Sequence, residues 1–328
     1  MKKEIQKHNR SDWRIEKDGD LKNRFGRYAN GKYLDWVLDI IKGTMSLSGT
    51  LKSLLSSFGY TGHYSTPNYT YNYLYYCNQL NKAFFEYSMN DGKPVSLQVA
   101  DKTLETIGKS EVNYDTTGAI AVVKGIELAL ILRDKEALSF YANIPVTFTE
   151  KAQHDDLVVE LMLHFFQLLV TEKANEKEVM ATYAQITKQM KWEEYRKNVI
   201  KTDFLNDDMW QYLFGHRQEK TEFLYFPLLN IYYQIFLNSQ AGFDNSVYEA
   251  LQKWQQYFTK KYIEQGEEFD RSFEPEGYWC IPVIAACAFA YDRGLKLKNL
   301  QSDYLCDWMI EGRFEDFELL VKGDSGAA

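Results

Sequence analysis

The clearest indication of the fold is the segment Phe273-Glu-Pro-Glu-Gly-Tyr-Trp-Cys-Ile-Pro-Val-Ile-Ala-Ala-Cys-Ala-Phe-Ala-Tyr-Asp-Arg-Gly294. Pro282 suits the first turn of a helix, where no internal partner is required for its missing N–H, and Gly294 is a typical residue to follow a helix end. The alanines between them are small enough to let neighbouring helices approach closely. The stretch therefore predicts one buried and tightly packed helix.

Outward from this helix, apolar residues recur at helical spacing along most of the chain. We expect helices near 33–41, 51–58, 72–88, 101–108, 116–133, 135–142, 154–171, 175–190, 192–200, 207–214, 220–239, 245–264, 280–293 and 303–310. Only residues 94–99 alternate well enough to predict a strand. Short loops between helices favour antiparallel hairpins. The predicted fold is all-α, an array of antiparallel helical hairpins with at most one short β element near residues 94–99.

The domain organisation follows from the loop at residues 60–68, which separates two helical blocks. We predict an N-terminal helical cap over residues 1–60 and a main helical domain over residues 61–322, continuous with the cap. The final Gly323-Asp-Ser-Gly-Ala-Ala328 is typical of a disordered tail.

The composition narrows the class of protein. The 328 residues are 45% hydrophobic, carry a net charge of −8 and include no long basic run. These charges argue against nucleic acid as the main partner and suit a basic protein partner. No secretory signal and no membrane span is predicted, because residues 157–170 are short and interrupted by polar side chains. We therefore expect a cytoplasmic protein. Its four cysteines lack C-x-x-C spacing, which predicts free, buried thiols.

Candidate chemistry is sparse. The sequence has no nucleophile elbow, no phosphate-binding loop and no H-E-x-x-H motif. His154-Asp155-Asp156 is similar to the His-Asp pair of metal-dependent phosphohydrolases, but such a site needs further ligands, and the same residues also suit the start of a helix. We predict that the chain is not an enzyme and uses no metal or other cofactor.

Two segments mix acidic and aromatic side chains, a combination that suits a surface for a basic partner. The candidate partner-binding residues are Asp203, Asp207, Asp208, Trp210 and Tyr212 in the first segment and Glu267, Glu268, Phe269 and Asp270 in the second. The alternative for the first segment is structural, with Asp207 capping a helix and Trp210 buried in the core.

Two blocks of the sequence resemble a known family. The first is the opening stretch followed by Ser302-Asp-Tyr-Leu305, and the second is Ala119-Ile-Ala-Val-Val-Lys-Gly-Ile-Glu-Leu-Ala-Leu-Ile-Leu-Arg133-Asp134. Together they resemble the immunity protein 49 family of bacterial antitoxins from about residue 72 to 309. The resemblance implies a structural signature of Arg133, Asp134, Gly277, Pro282, Tyr291, Asp292, Arg293, Gly294, Ser302, Asp303 and Tyr304.

The resemblance also implies a function. Proteins of this family neutralise polymorphic toxins delivered between competing bacteria, so we expect a cytosolic immunity protein that blocks a cognate secreted or contact-delivered toxin by steric occlusion. The acidic charge favours a basic, nucleic-acid-targeting toxin domain. Two alternatives remain: a helical-repeat scaffold that binds an endogenous protein, and a metal-dependent hydrolase that uses His154 and neighbouring Asp residues.

Overall fold

A computed structural model of the chain describes residues 3–6, 39–40, 43, 46–47, 49, 67–99, 102–110, 118–150, 157–171, 175–191, 193–194, 197, 215, 217–264 and 267–318. Within these ranges the α-helices are α1 (Pro67–Met89), α2 (Ala119–Leu132), α3 (Lys135–Ala142), α4 (Val146–Thr149), α5 (Leu157–Val170), α6 (Glu176–Gln189), α7 (Phe226–Phe236), α8 (Gln240–Phe258), α9 (Ile281–Tyr291) and α10 (Asp307–Glu311). The strands are β1 (Lys3–Ile5), β2 (Pro94–Val99), β3 (Lys102–Ile107), β4 (Lys261–Glu264), β5 (Glu267–Asp270) and β6 (Leu300–Ser302).

Helix α9, Ile281–Tyr291, lies within the predicted range of 280–293 and has the end signals that its sequence predicts. Pro282 lies in its first turn, and Gly294 takes the left-handed conformation with φ of 84° just after its end. The N–H of Leu295 donates to the carbonyl of Ala290, and that of Gly294 donates to the carbonyl of Tyr291. This pair of bonds is a Schellman motif, in which glycine is favoured because it has no Cβ.

The centre of the fold is the contact between α9 and α2. Helix α2 also packs against α1, α3 and α5, while α9 packs against α7 and α10. Both central helices are buried around most of their circumference, as expected for helices that are apolar on all sides. The predicted helical fold class is confirmed, and α3 begins and ends at the predicted residues.

The strands are more numerous than predicted. The strand at residues 94–99 is confirmed, but the expectation of at most one β element is wrong. The described residues alone form three two-stranded sheets: β1 pairs with β6 in parallel, and β2 with β3 and β4 with β5 are antiparallel pairs.

Strand pairing replaces one predicted helix and shortens another. A helix is predicted near residues 101–108, yet residues 102–107 pair along the edge of β2, with Leu97 opposite Leu104. The predicted helix over 245–264 starts earlier and ends at Phe258, and residues 261–264 form β4. In both places, pairing satisfies the backbone hydrogen bonds of a neighbouring strand, which outweighs local helical spacing.

Several predictions fall largely or wholly outside the described residues. These are the helices near 33–41, 51–58, 192–200 and 207–214, most of the cap over residues 1–60, and the tail at 323–328. The division into cap and main domain stays a prediction. None of the helices in the described part of the chain is long and apolar enough to cross a membrane.

Candidate functional site

The second acidic and aromatic segment forms one strand of a hairpin, which we call the acidic hairpin: strands β4 and β5. Phe269 lies opposite Tyr262, and their rings stack with centroids 5.4 Å apart. Phe269 is 39% exposed, unusually high for a large apolar side chain. Asp270 has a structural role, because its carboxylate accepts a hydrogen bond from the N–H of Ser272 at 2.9 Å. Glu267 and Glu268 precede Phe269 on β5.

A buried ionic contact fixes the acidic hairpin to the helices below it. Arg271 directly follows β5, and its Nη2 lies 2.8 Å from a carboxylate oxygen of Glu219. The same guanidinium lies over the rings of Tyr257 and Tyr262, at 4.0 and 4.7 Å. Burial alone would raise the pKa of Glu219, but hydrogen bonds from Arg271 and Lys260 outweigh burial and lower this pKa. The hairpin is therefore held on an ordered base.

A cleft of about 500 Å³ opens beside this base, and we call it the Glu127 cleft. Its walls come from α2, α8, residues 274–283 and a π-helical turn at Thr221–Tyr225 that precedes α7. The lining residues include Lys124, Glu127, Lys220, Phe223, Trp254, Tyr257, Phe258, Glu274, Glu276 and Cys280. π-Helical turns are rare and are frequent at functional sites, so their presence in this wall supports a functional role for the cleft.

Glu127 is the most unusual side chain of the cleft. It is 4% exposed, and no hydrogen bond or ion pair to its carboxyl group is present within the described residues. Burial raises its pKa to about 8, and the positive charge of Lys124, one turn earlier on α2, lowers it only in part. A buried carboxyl group without a partner disfavours folding, which makes such a group a marker of functional sites.

The rim of the Glu127 cleft carries charges of both signs. Lys124, Lys220 and Glu276 are exposed, whereas Glu274 is half-buried. Burial raises the pKa of Glu274, Arg271 opposes this effect, and the negative charge of Glu276 adds to it. A smaller cavity of about 150 Å³ is also lined by Glu127, Trp254 and Glu276. Carboxyl groups thus occupy both the rim and the interior of this region.

The residues of the predicted structural signature lie away from this cleft, with few exceptions. Arg133 follows α2 in the left-handed conformation, and its guanidinium donates to the carbonyls of Met309, at 2.6 Å, and Ile310 at the end of α10. It also pairs with Asp292, with Nε 3.2 Å from a carboxylate oxygen. One side chain therefore links the C-terminal ends of α2, α9 and α10.

Asp134 and Tyr304 occupy structural positions as well. Asp134 caps α3 by accepting from the N–H of Ala137 at 2.9 Å, and it also accepts from the side-chain amide of Asn78 at the same distance. Tyr304 is fully buried, and its carbonyl accepts from the N–H of Cys280.

The remaining signature residues also make local contacts. The guanidinium of Arg293 lies 3.5 Å from the ring centre of Phe289, and the ammonium group of Lys296 lies over the ring of Tyr291. The Ser302 hydroxyl accepts a hydrogen bond from the N–H of Tyr304. The N–H of Asp303 donates to the carbonyl of Ile5. Gly277 and Pro282 belong to the cleft region. Trp254 donates from Nε1 to the carbonyl of Gly277 at 3.1 Å, and Pro282 lines the cleft itself.

The first acidic and aromatic segment lies outside the described residues, and so does His154. The structure therefore leaves Asp203, Asp207, Asp208, Trp210 and Tyr212 as predictions. His164, which is described, is partly exposed and has its Nε2 3.6 Å from Glu178. The described residues contain no group of three or more His, Cys, Asp and Glu side chains that could hold a metal ion.

The four cysteines are free and buried, and burial raises the pKa of each thiol, in the case of Cys306 to about 11. Reactive cysteines need the opposite shift. The thiols are therefore packing groups.

Sequence reasoning missed the Glu127 cleft. One signal could have indicated it: Glu127 is the only acidic residue in the apolar segment from Ala119 to Leu132. Apart from Met162, the lining residues outside α2 are more than ninety residues away from Glu127 in the sequence, and periodicity does not bring such parts of the chain together.

Comparison with known proteins gives one match. The model of a family described as Immunity protein 49 matches residues 68–309, a range that includes both central helices, the acidic hairpin and the Glu127 cleft. No curated protein and no solved structure matches the chain.

Proposed function

We propose, on the premise that this chain belongs to the Immunity protein 49 family, that it binds a cognate bacterial toxin and prevents the toxin from acting. The observation that carries the proposal is the family match over residues 68–309, which covers most of the described fold. The proposed place of action is the cytoplasm, where a toxin that attacks nucleic acids meets its substrate.

The acidic hairpin is the proposed contact surface for the toxin. Phe269 offers an exposed aromatic anchor, and Glu267 and Glu268 precede it on the same strand. Aromatic residues dominate the binding energy of many interfaces when polar groups surround them. The Arg271–Glu219 contact holds the hairpin in place before binding, which reduces the entropy lost when a partner binds. The segment with Asp203, Asp207, Asp208, Trp210 and Tyr212 is proposed to belong to the same interface.

The proposed partner is a basic toxin domain that acts on nucleic acids. Proteins that hold phosphates need positively charged surfaces, and this chain has a net charge of −8. Opposite charges accelerate encounter and favour the correct orientation. An acidic inhibitor can thus cover the surface that the substrate would use, so that inhibition is steric and requires no reaction on this chain.

Co-expression with the toxin encoded beside its gene tests the proposal. We expect the wild-type chain to restore growth and to form a stable complex with the toxin. The triple variant Glu267→Lys, Glu268→Lys, Phe269→Ala should lose both, because it reverses the charge of the hairpin and removes its anchor.

A matched control is the double variant Glu315→Lys, Asp316→Lys, which makes the same two charge reversals at exposed acids elsewhere. This control should protect like the wild type. Equal protection by the hairpin variant would reject the proposed surface, whereas a wild-type chain that neither protects nor binds would reject the proposed function.

A further inference from the structure

We propose that the Glu127 cleft is a binding site for an organic cation, namely a guanidinium or alkylammonium group on a short apolar stem. The site is distinct from the acidic hairpin, and the proposal does not depend on the identity of any toxin. It stands on three features of the cleft: the buried carboxyl group, the aromatic walls and the arrangement of charges at the rim.

The first feature is the position of the Glu127 carboxyl group. It lines a space of about 500 Å³ although its side chain is almost fully buried, and no described residue donates a hydrogen bond to it. Lys124 is exposed and forms no ion pair with it. A carboxylate accepts up to four hydrogen bonds, and a guanidinium or ammonium group is the strongest donor that can supply them. The cleft thus holds an acceptor for which the described part of the chain provides no donor.

The second feature is the set of aromatic rings around this acceptor. Trp254, Tyr257, Phe223 and Phe258 line the cleft, and the indole of Trp254 is fixed by its hydrogen bond to the carbonyl of Gly277. Aromatic faces attract cations and also pack well against methylene groups. Tyr257 already binds a guanidinium in this protein, because the side chain of Arg271 lies 4.0 Å from its ring centre. The walls therefore suit both the charge and the stem of the ligand.

The third feature is the position of the charges rather than their sum, because a pKa of about 8 leaves Glu127 mostly protonated at pH 7 and the lining then carries no excess of negative charge. Glu127, Glu274 and Glu276 contribute three carboxyl groups to the lining, and Lys124 and Lys220 contribute two ammonium groups. Both lysines are exposed at the rim, whereas Glu127 is buried and Glu274 is half-buried. The pKa values of Glu127 and Glu274 are both raised, chiefly by burial. A bound cation favours the ionised form of these groups, so its binding near neutral pH should release a proton from the protein.

Calorimetry with small probes tests the site. The probes are n-butylguanidinium and n-butylammonium, with butylurea as a neutral analogue of similar shape and pentanoate as an anion. We expect saturable binding of one cation per chain at pH 7, with proton release that is visible when buffers of different ionisation enthalpy are compared. Butylurea and pentanoate should bind at least tenfold more weakly. Equal binding of butylurea, or no binding of either cation, would overturn the proposal.

Substitutions of cleft residues test whether the cation binds in the Glu127 cleft. Glu127→Gln keeps the size of the side chain and should weaken cation binding at least tenfold while abolishing most of the proton release. Glu276→Gln at the rim should weaken binding by a smaller factor, and it provides a second reading if the first variant folds poorly. Glu249→Gln, at an exposed position of α8 that does not line the cleft, should bind like the wild type. Unchanged binding in both Glu127→Gln and Glu276→Gln would overturn the proposal.

The cation could be a free compound or the basic side chain of a partner protein, and a peptide probe separates these sources. A Gly-Arg-Gly peptide with both ends blocked presents the same guanidinium from a backbone. Binding as tight as that of butylguanidinium would assign the site to a side chain presented by a partner, and binding only of the free cation would assign it to a small molecule. Both results support a cation site, and both are independent of whether the chain protects against a toxin.

Discussion

Among single residues, Glu127 places a titratable group where burial disfavours its charged form. The group lies on α2 between residues that pack into the core, so its ionisation competes directly with folding. Its pKa is raised from 4.5 to about 8, which means that the folded chain holds a proton that the unfolded chain releases above pH 4.5. Stability then decreases as pH rises through this window, by about 1.4 kcal/mol per pH unit for a single group.

The variant Glu127→Gln tests whether Glu127 makes stability decrease as pH rises. Because glutamine does not titrate, we expect the variant to gain stability relative to the wild type as pH rises from about 5 to 8, with a difference on the order of 3–5 kcal/mol near the upper end. Urea unfolding at several pH values measures it. The variant Glu249→Gln should follow the wild-type profile, and parallel profiles for the wild type and Glu127→Gln would contradict the raised pKa.

Arg133 has two effects on stability that oppose each other. Its left-handed backbone is unfavourable for a residue with a Cβ, whereas its guanidinium satisfies the terminal carbonyls of α10 and pairs with Asp292. We expect Arg133→Ala to destabilise the fold by roughly 3 kcal/mol or more, because it removes charged hydrogen bonds and keeps the backbone strain.

Arg133→Gly is the matched comparison. It removes the same bonds but relieves the left-handed strain, so it should be about 1 kcal/mol less destabilising than Arg133→Ala. Chemical denaturation of both variants measures the difference. Equal losses would mean that the backbone of residue 133 is not strained.

The partners of Arg133 could not be predicted from the sequence. The pair Arg133-Asp134 is visible as the end of one helix and the start of another, but Met309 and Ile310 follow more than 170 residues later. Local patterns indicate that a helix ends at such a pair. They do not indicate which other helix end will lie beside it.

Among the elements, the close contact between α2 and α3 depends on Gly125. A Cβ at this position would lie 2.5 Å from the ring of Tyr141, which is fully buried. Glycine inside a helix ordinarily disfavours it by about 1 kcal/mol relative to alanine. Here the absence of a side chain allows α2 and α3 to pack closely. The stability gained from this packing offsets the low helix propensity of glycine.

We therefore expect Gly125→Ala to destabilise the fold by roughly 2–3 kcal/mol in spite of its higher helix propensity. In the background of Tyr141→Ala, where the ring is absent, the same change should cost clearly less, and the remaining cost should come from the side-chain amide of Asn81, which lies 2.7 Å from the same Cβ position. A double-mutant cycle measured by thermal and urea unfolding tests this coupling. Additive effects would show that the ring does not limit the space at Gly125.

The sequence predicts some helices and strands better than others. Helices α2, α3 and α9 are long or well capped, and their apolar residues and end signals agree with one another. Strand β3 carries apolar residues at a spacing that also fits a helix, and only its pairing with β2 decides between the two. The sequence predicts a continuous helix over 220–239 and not the π-helical turn at Thr221–Tyr225, and the Glu127 cleft depends on this turn for one wall.

For the whole molecule, net charge is the property that acts over the longest range. A chain with a charge of −8 should attract a basic toxin before contact, and dissolved salt screens this attraction. We expect the association rate constant with the cognate toxin to fall on the order of tenfold between low and high salt. The dissociation rate constant should change far less, since short-range contacts control it.

Surface plasmon resonance over a range of salt concentrations measures both constants. The charge-reversed variant Glu315→Lys, Asp316→Lys should associate more slowly at low salt, like any variant with a less negative charge, and should dissociate at the wild-type rate. An association rate constant that does not depend on salt would contradict the proposed electrostatic attraction. It would not contradict the proposed steric inhibition.

The parallel pair of β1 and β6 also concerns the whole molecule. Lys3 lies beside Leu300, and the N–H of Asp303 donates to the carbonyl of Ile5. A ribosome makes β1 about 300 residues before β6, so at about 5–20 residues per second the two strands are made roughly 15–60 s apart. A nascent chain cannot complete its fold during that interval. Protection against a toxin that arrives suddenly would then rest on the stock of finished copies already in the cell, rather than on translation that begins after the attack.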